Sequence, residues 1–480
     1  MLFVPLHKSL LAPLAFVLLF SAARCSDSRS TSAAEIQGEV DSICKEVANV
    51  REAAFASRVI ASEQGPDDFR RYVQGVLDED LPAAEGVAKS KVLALIGLVP
   101  EKTDLRRTVM DLTTKEAAAY YDPKTGRFFL VKKNLPDMFR RITCAHELAH
   151  ALQDQRFHLR TFVEPRKFSE DEEFARRCLV EGEAQFVSMR WLLGLPGRAS
   201  AFTDAELAEQ MTLSRDMLWK NDFLAGDMKE SLKKSLGDAG SDLDEQDKAL
   251  GAAPLFFRRS LIDPYFIGGT FVAKAKEGKG WAGVDACYEK PPRSSEQILH
   301  PEKFLGEKPD EPVAVSMPGE KEAEDADTLG EFAIECLLEE GLRAAGKGRA
   351  EARKAAEKAA AGWGGDRYAL RKDGRLVWRI VWDSPQDAKE FQEAFSQVLK
   401  ARFPRSEDFE ALLIKGADGK GIDPAASTIG SGFSGDSLAA ALHWTGNSVA
   451  FAAGSGTDAR TLWTFAKEAL AANPSEEKAK

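Results

Sequence analysis

Six cysteines, Cys25, Cys44, Cys144, Cys178, Cys287 and Cys336, are spread over 480 residues without a single Cys-x-x-Cys pair. That spacing excludes a zinc ribbon, and in a chain of this size such cysteines read as small buried apolar residues. Positive charge is also short: 65 Lys and Arg stand against 76 Asp and Glu, for a formal net charge of -11 and a pI near 5.4. Nucleic acids and anionic membranes are recognised by basic surface, so neither is an expected partner. Long apolar runs are lacking too. The one conspicuous run, within residues 9–23, is too short for a comfortable membrane span and ends in Ser21-Ala22-Ala23. It has the pattern of a signal peptide over residues 1–23, with the mature chain beginning near Arg24 and no transmembrane segment after cleavage. The protein is therefore expected to be exported, periplasmic or secreted. A lipid anchor at Cys25 is the alternative, although Arg24 stands where lipoprotein signals carry a small residue.

What is present is ordinary globular composition, 44% apolar and 29% charged, long enough for two or three domains. Within it lies His146-Glu147-Leu-Ala-His150. Residues 137–157 place Met138, Ile142, Ala145, Leu148, Ala149 and Leu152 at helical spacing, with Pro136 just before them and no glycine inside. On that helix, side chains four apart lie one above the other, so His146 and His150 present two imidazoles to one point. Glu147 can then reach a water on a metal without itself being a ligand, which makes it the candidate general base. Cys144, two positions before His146, turns to the opposite side and reads as core.

A third ligand is expected on the next helical stretch, 171–191. Glu181 and Glu183 point about 200° apart on a helix, so only one of them can face the metal. Glu183 shares a stripe with Arg176 and Arg190, which suits a solvated charged face. Glu181 shares its stripe with Phe174, Cys178 and Gln185 and is followed by Gly182, which suits close packing against the metal helix. Two alternatives stand beside this assignment. Arg177 can pair with Glu181 on the surface, and His158 can serve as the third ligand.

The rest of the chain reads as support. A polar tether over 24–40 leads into amphipathic helices, one opening at Pro66-Asp67-Asp68. Residues 117–132 form a hairpin whose exposed strand could add an extended peptide to the sheet edge. Residues 197–250 read as scaffold or cover. A helix starting at Pro264 carries Tyr265 and the pair Gly268-Gly269, which allow another backbone close approach. Tyr265, and His300 within Pro291–Pro301, are candidates to donate a hydrogen bond to a developing oxyanion, against a structural role in the core. Residues 308–326 read as a linker. After it, 327–480 should form a C-terminal α+β domain of two β-β-α units, with hairpins near 367–382 and 438–453. His443 falls in one of those strands, where a core or surface role is expected. Gly362–Gly365 lacks a following Lys-Ser/Thr and precedes a strand, so it is no phosphate loop.

The pairing of His146-Glu-Leu-Ala-His150 with Glu181-Gly-Glu-Ala resembles the gluzincin group of zinc metallopeptidases. That resemblance implies a zincin fold, Zn2+ held by His146, His150 and a glutamate, Glu147 as base, and a Tyr or His at the oxyanion. The interval from His150 to Glu181 is longer than is usual in that group. From Ala117 to the end the chain is also similar to a poorly characterised family of exported bacterial proteins, through Ala-Tyr-Tyr-Asp-Pro, His-Glu-Leu-Ala-His-Ala-Leu-Gln-Asp-Gln, Pro-Pro-Arg-Ser-Ser-Glu-Gln-Ile-Leu-His-Pro and Gly-Trp-Gly-Gly-Asp-Arg-Tyr. The expected fold class is α+β: a mainly helical zincin-like domain with a small sheet over 41–307, then the C-terminal domain. The expected function is zinc-dependent hydrolysis of a peptide or protein substrate. A zinc-binding, non-proteolytic envelope protein acting as a binding module is the alternative, and a metal-free helical scaffold a third reading.

Overall fold

The computed structural model describes residues 33–116, 118–131, 136–195, 202–220, 250–412 and 427–471, with isolated positions at 230, 233 and 248. The expected signal peptide and Cys25 lie outside the described residues, as does most of 221–249. No described helix is long and apolar enough to cross a membrane. The fold is α+β.

Helix α1 (Ala33–Arg51) buries Ile36, Val40, Ile43 and Val47 along one stripe, so the expected tether is already helical from Ala33 onward. Then come β1 (Ile60–Glu63), α2 (Pro66–Asp80), α3 (Ala83–Ile96), α4 (Leu105–Glu116), and the hairpin of β2 (Ala119–Asp122) and β3 (Arg127–Leu130). In the small sheet β3 is central, parallel to β1 and antiparallel to β2, which leaves β2 at an edge, but all four residues of β2 are buried, so it is not the exposed strand expected. Helix α5 (Asp137–Phe157) carries the motif, over the span that its periodicity predicts.

Helix α6 (Glu170–Leu193) is buried on nearly every side, as befits the central rod of a helical layer. Ser169 caps it by accepting from Glu172 N, and four acidic residues fill the first turn against the positive end of its dipole. After α7 (Asp204–Lys220) comes α8 (Leu255–Lys276). It starts nine residues before Pro264, which is therefore interior and not the first-turn residue expected. A proline there cannot donate to the carbonyl four residues back, and the Arg177 guanidinium takes that carbonyl, Ser260 O, instead. Arg177 is thus engaged away from Glu181. Helices α6 and α8 cross at two glycines. A Cβ on Gly182 would lie 2.0 Å from the Gly268 carbonyl carbon, and one on Gly268 would lie 1.8 Å from Cys178 O. Gly182 therefore seats α6 on α8, whereas packing on the motif helix was expected.

Helices α9 (Trp281–Glu289) and α10 (Ser295–Leu299) complete this layer. The later part comprises β4 (Asp325–Asp327), α11 (Gly330–Ala344), α12 (Arg349–Ala360), β5 (Trp363–Leu370), β6 (Leu376–Trp382), α13 (Pro385–Arg402), β7 (Arg405–Leu412), β8 (Thr428–Ser434), β9 (Leu438–Thr445), β10 (Ser448–Ser455) and α14 (Ala459–Ala471). Both hairpin-plus-helix units form. They join through β6 and β10 into one antiparallel seven-stranded sheet, ordered β4-β5-β6-β10-β9-β8-β7. Strands β4, β7 and β8 were not anticipated.

The expected boundary at 327 does not coincide with a break in packing. One apolar cluster contains residues from Ile36 to Ala453, and Phe332 of α11 stacks on Phe174 of α6 at 4.1 Å. The expected linker lies along the sheet, Val313 N donating to Gly364 O at 2.7 Å and Asp325 to Asp327 pairing with β5.

Candidate metal centre

Helices α5 and α6 lie side by side in opposite directions: Gln153 reaches Val180 O at 2.9 Å at one end, and Arg141 lies over the Trp191 ring, 5.5 Å from its centroid, near the other. Between those contacts three donor atoms converge. His146 Nε2 and His150 Nε2 are 3.1 Å apart, and each is 3.4 Å from Glu181 Oε2. All three residues are buried, at 1%, 0% and 5% exposure.

Bonds of about 2.0–2.2 Å to imidazole nitrogen and carboxylate oxygen set neighbouring donors of a tetrahedral ion about 3.3–3.5 Å apart. The two nitrogen-to-oxygen separations fall in that range and the 3.1 Å between the imidazole nitrogens is slightly shorter, so the residues fit a divalent cation such as zinc with a small opening of the pair. Burial pushes the His146 imidazole down to about 4, more than the facing Glu181 carboxylate raises it, so the ring is neutral at pH 7 and able to ligate.

The ring of His150 is fixed from behind. Gln153 Nε2 lies 2.9 Å from Val180 O, from Glu183 Oε2 and from the Tyr288 hydroxyl, a set that includes two oxygens able only to accept. The amide oxygen of Gln153 must then face His150 Nδ1, at 2.8 Å, and Nδ1 must carry the proton. The lone pair is left on Nε2, where the other two donors are. Glu183 is itself held by Arg51 and by the Tyr288 hydroxyl. At 1% exposure it is no part of a solvated face, which corrects the expectation from its stripe. Nor is Arg176 solvated: it pairs with Glu172 and donates to Phe162 O.

Glu147 is buried beside the ligands, and its Oε2 accepts the backbone N–H of Tyr121 on β2 at 2.9 Å. Tyr265 of α8 is buried with its ring centroid 5.5 Å from that of His146. His300 is elsewhere. Its Nε2 bonds Glu331 Oε1 at 2.9 Å at the start of α11, and the adjoining Phe332 stacks on Phe174, seven residues or about 10 Å along α6 from Glu181. His158 is an exposed residue with φ 54° at the end of α5, outside the donor cluster. His443 is buried in β9, at 6.2 Å from the Trp463 ring, also outside it.

A family model described as a domain of unknown function, DUF8575, matches residues 316–432. No curated protein and no solved structure matches the chain. The matched span begins nine residues before β4, ends in β8 and contains none of the residues of the donor cluster. Among the described residues one other group of acidic atoms is close enough for an ion, Glu296, Asp310 and Asp383. Lys303 already fills it: Nζ lies 2.7 Å from Asp383 and 3.0 Å from Asp310 and also pairs with Glu296.

Sequence reasoning passed over the residues behind His150. Gln153 could have been found, since i+3 on a helix shares a face. Tyr288 and Arg51 could not, because they meet Gln153 and Glu183 across 135 and 132 residues of chain.

Proposed function

We propose that the protein is a zinc-dependent peptidase of zincin-like fold that cleaves a peptide or protein substrate after export. The observation that carries this reading is the convergence of His146, His150 and Glu181 on one point, with Glu147 beside them on the same helix. Zinc bound there supplies Lewis acidity, polarising a carbonyl and lowering the pKa of a water to about 7. Glu147 is the base that receives the proton and passes it to the leaving amine. The Tyr121 amide, bonded to one carboxylate oxygen, fixes the orientation of Glu147 for that task. Tyr121 sits on a buried edge strand, so the same contact ties the base to the small sheet. Of the two residues expected at the oxyanion, Tyr265 is the one beside a ligand, and we assign that role to it.

The test is a protease screen on purified protein with a chelator control, together with Glu147→Gln. The variant should keep its zinc and lose about 100- to 10,000-fold in turnover, because an amide neither deprotonates water nor removes a ligand. Substantial turnover by Glu147→Gln would remove the general-base assignment.

One observation favours a second reading. His146, Glu147, His150 and Glu181 are all at most 5% exposed, as suits a closed metal site in a non-proteolytic binding protein. That protein would bind zinc and show no chelator-sensitive cleavage of any substrate.

A further inference from the structure

Among the described residues, two buried polar groups flanking the ligand donors have no hydrogen-bond partner. One is His146 Nδ1; the other is the whole amide of Gln185, whose Oε1 and Nε2 are both unsatisfied at 0% exposure. Leaving a buried amide unpaired is destabilising, so a fully buried glutamine with neither end engaged calls for an explanation. Its position supplies one. Along the antiparallel helices, Gln153 meets Val180, His150 meets Glu181 and Arg141 meets Trp191. One step back on α5 matches one step forward on α6, which puts Gln185 level with His146. Gln185 is also one turn from Glu181, on the stripe that faces the donors.

We propose that Gln185 is the positioning residue for His146, the counterpart of Gln153 behind His150. This rests on the reading that the cluster holds zinc. With Nε2 committed to a metal, the imidazole must carry its proton on Nδ1, and a buried N–H needs an acceptor. A glutamine with three rotatable bonds can turn its Oε1 to that proton from one turn away. Neither end of the Gln185 amide is engaged elsewhere among the described residues, so it can make that bond without breaking another.

The experiment measures zinc affinity by chelator competition and the thermal midpoint of the metal-free protein, on the full chain and on Gln185→Leu and Gln185→Glu. Gln185→Leu should bind zinc about 10- to 100-fold more weakly, while its metal-free midpoint stays level or rises. Gln185→Glu, whose carboxylate also accepts from Nδ1, should restore the affinity and lower the metal-free midpoint. In the zinc-loaded parent the imidazole 15N shifts of His146 should report a protonated Nδ1. A Gln185→Leu protein that loses metal-free stability with unchanged affinity makes Gln185 ordinary core and overturns the inference alone. A parent that binds no zinc, or binds it undisturbed by Glu181→Ala, overturns the metal reading and this inference with it.

Discussion

Two buried polar clusters lie on the two sides of α8, and they differ in one respect. Around Asp263, two guanidiniums meet three carboxylates: Arg259 pairs with Asp263 at 2.8 Å, Glu339 at 3.0 Å and Glu335 at 3.1 Å, while Arg215 pairs with Asp263 at 3.0 Å. The Trp219 indole adds a bond to Asp263 Oδ1 at 2.7 Å. Two residues further on, Tyr265 faces the other cluster, where two imidazole nitrogens and a carboxylate oxygen point at one another. The first cluster has its own counter-ions and serves as a closed joint between α8 and α11. The second brings three donor atoms close enough together to hold a metal ion. Burial and ionisable residues alone do not mark a candidate site; the convergence of metal-ligating atoms does.

The largest expected difference comes from removing the third donor. Glu181→Ala should lower zinc content from about one per chain to near zero, whereas Glu183→Ala should keep zinc but lose stability, because it removes the buried partner of the Arg51 guanidinium and leaves it only the partly exposed Asp285. Metal analysis after gel filtration, with a denaturant titration, checks both, and the opposite pattern would move the ligand to Glu183.

The closed cluster should answer to stability and not to metal. Asp263→Ala should cost about 3–5 kcal/mol in urea unfolding at pH 7 and leave the zinc affinity unchanged. Burial opposes ionisation of Asp263, but the Arg215 and Arg259 guanidiniums more than offset it and hold the carboxyl well below the usual range. Its folded pKa is thus depressed. The stabilisation is present above about pH 4, the unfolded value, and is lost only as pH falls towards the folded one. The gap between parent and variant should therefore stay constant from pH 8 to 5 and narrow only in stronger acid. A gap that closes near neutrality would contradict the pairing.

A smaller effect separates ligand from support within the metal cluster. Gln153→Leu should weaken zinc binding by about 10- to 100-fold in chelator competition without abolishing it. Unchanged affinity would mean that the bond to His150 Nδ1 does not set the tautomer.

The motif helix was legible because local rules suffice for it: a 3.6-residue period, a proline at its start, and two histidines four apart fix both its span and the direction of His146 and His150. Glu181 over Glu183 followed from the same geometry, yet half of the argument for it did not survive. Glu183 shares a stripe with two arginines and is nonetheless buried, because the partner that neutralises it, Arg51, arrives from a helix 132 residues earlier. Tyr265 could be singled out as a residue type in a glycine-bearing helix, but sequence could not tell it from His300. The deciding fact was which of them lies beside His146.

In the later half of the chain each β-β-α unit could be read from its own turns and alternation. That the two share one sheet through β6 and β10, and that α11 packs on α6 and ties itself to Arg259, could not. Sequence by itself determined the elements whose causes lie within a few turns of chain: the motif helix, the two imidazoles on one face, the hairpins and their caps. Tertiary structure alone decided which buried charges are neutralised and which acceptors are left facing one another, because that balance depends on side chains brought together from more than a hundred residues apart.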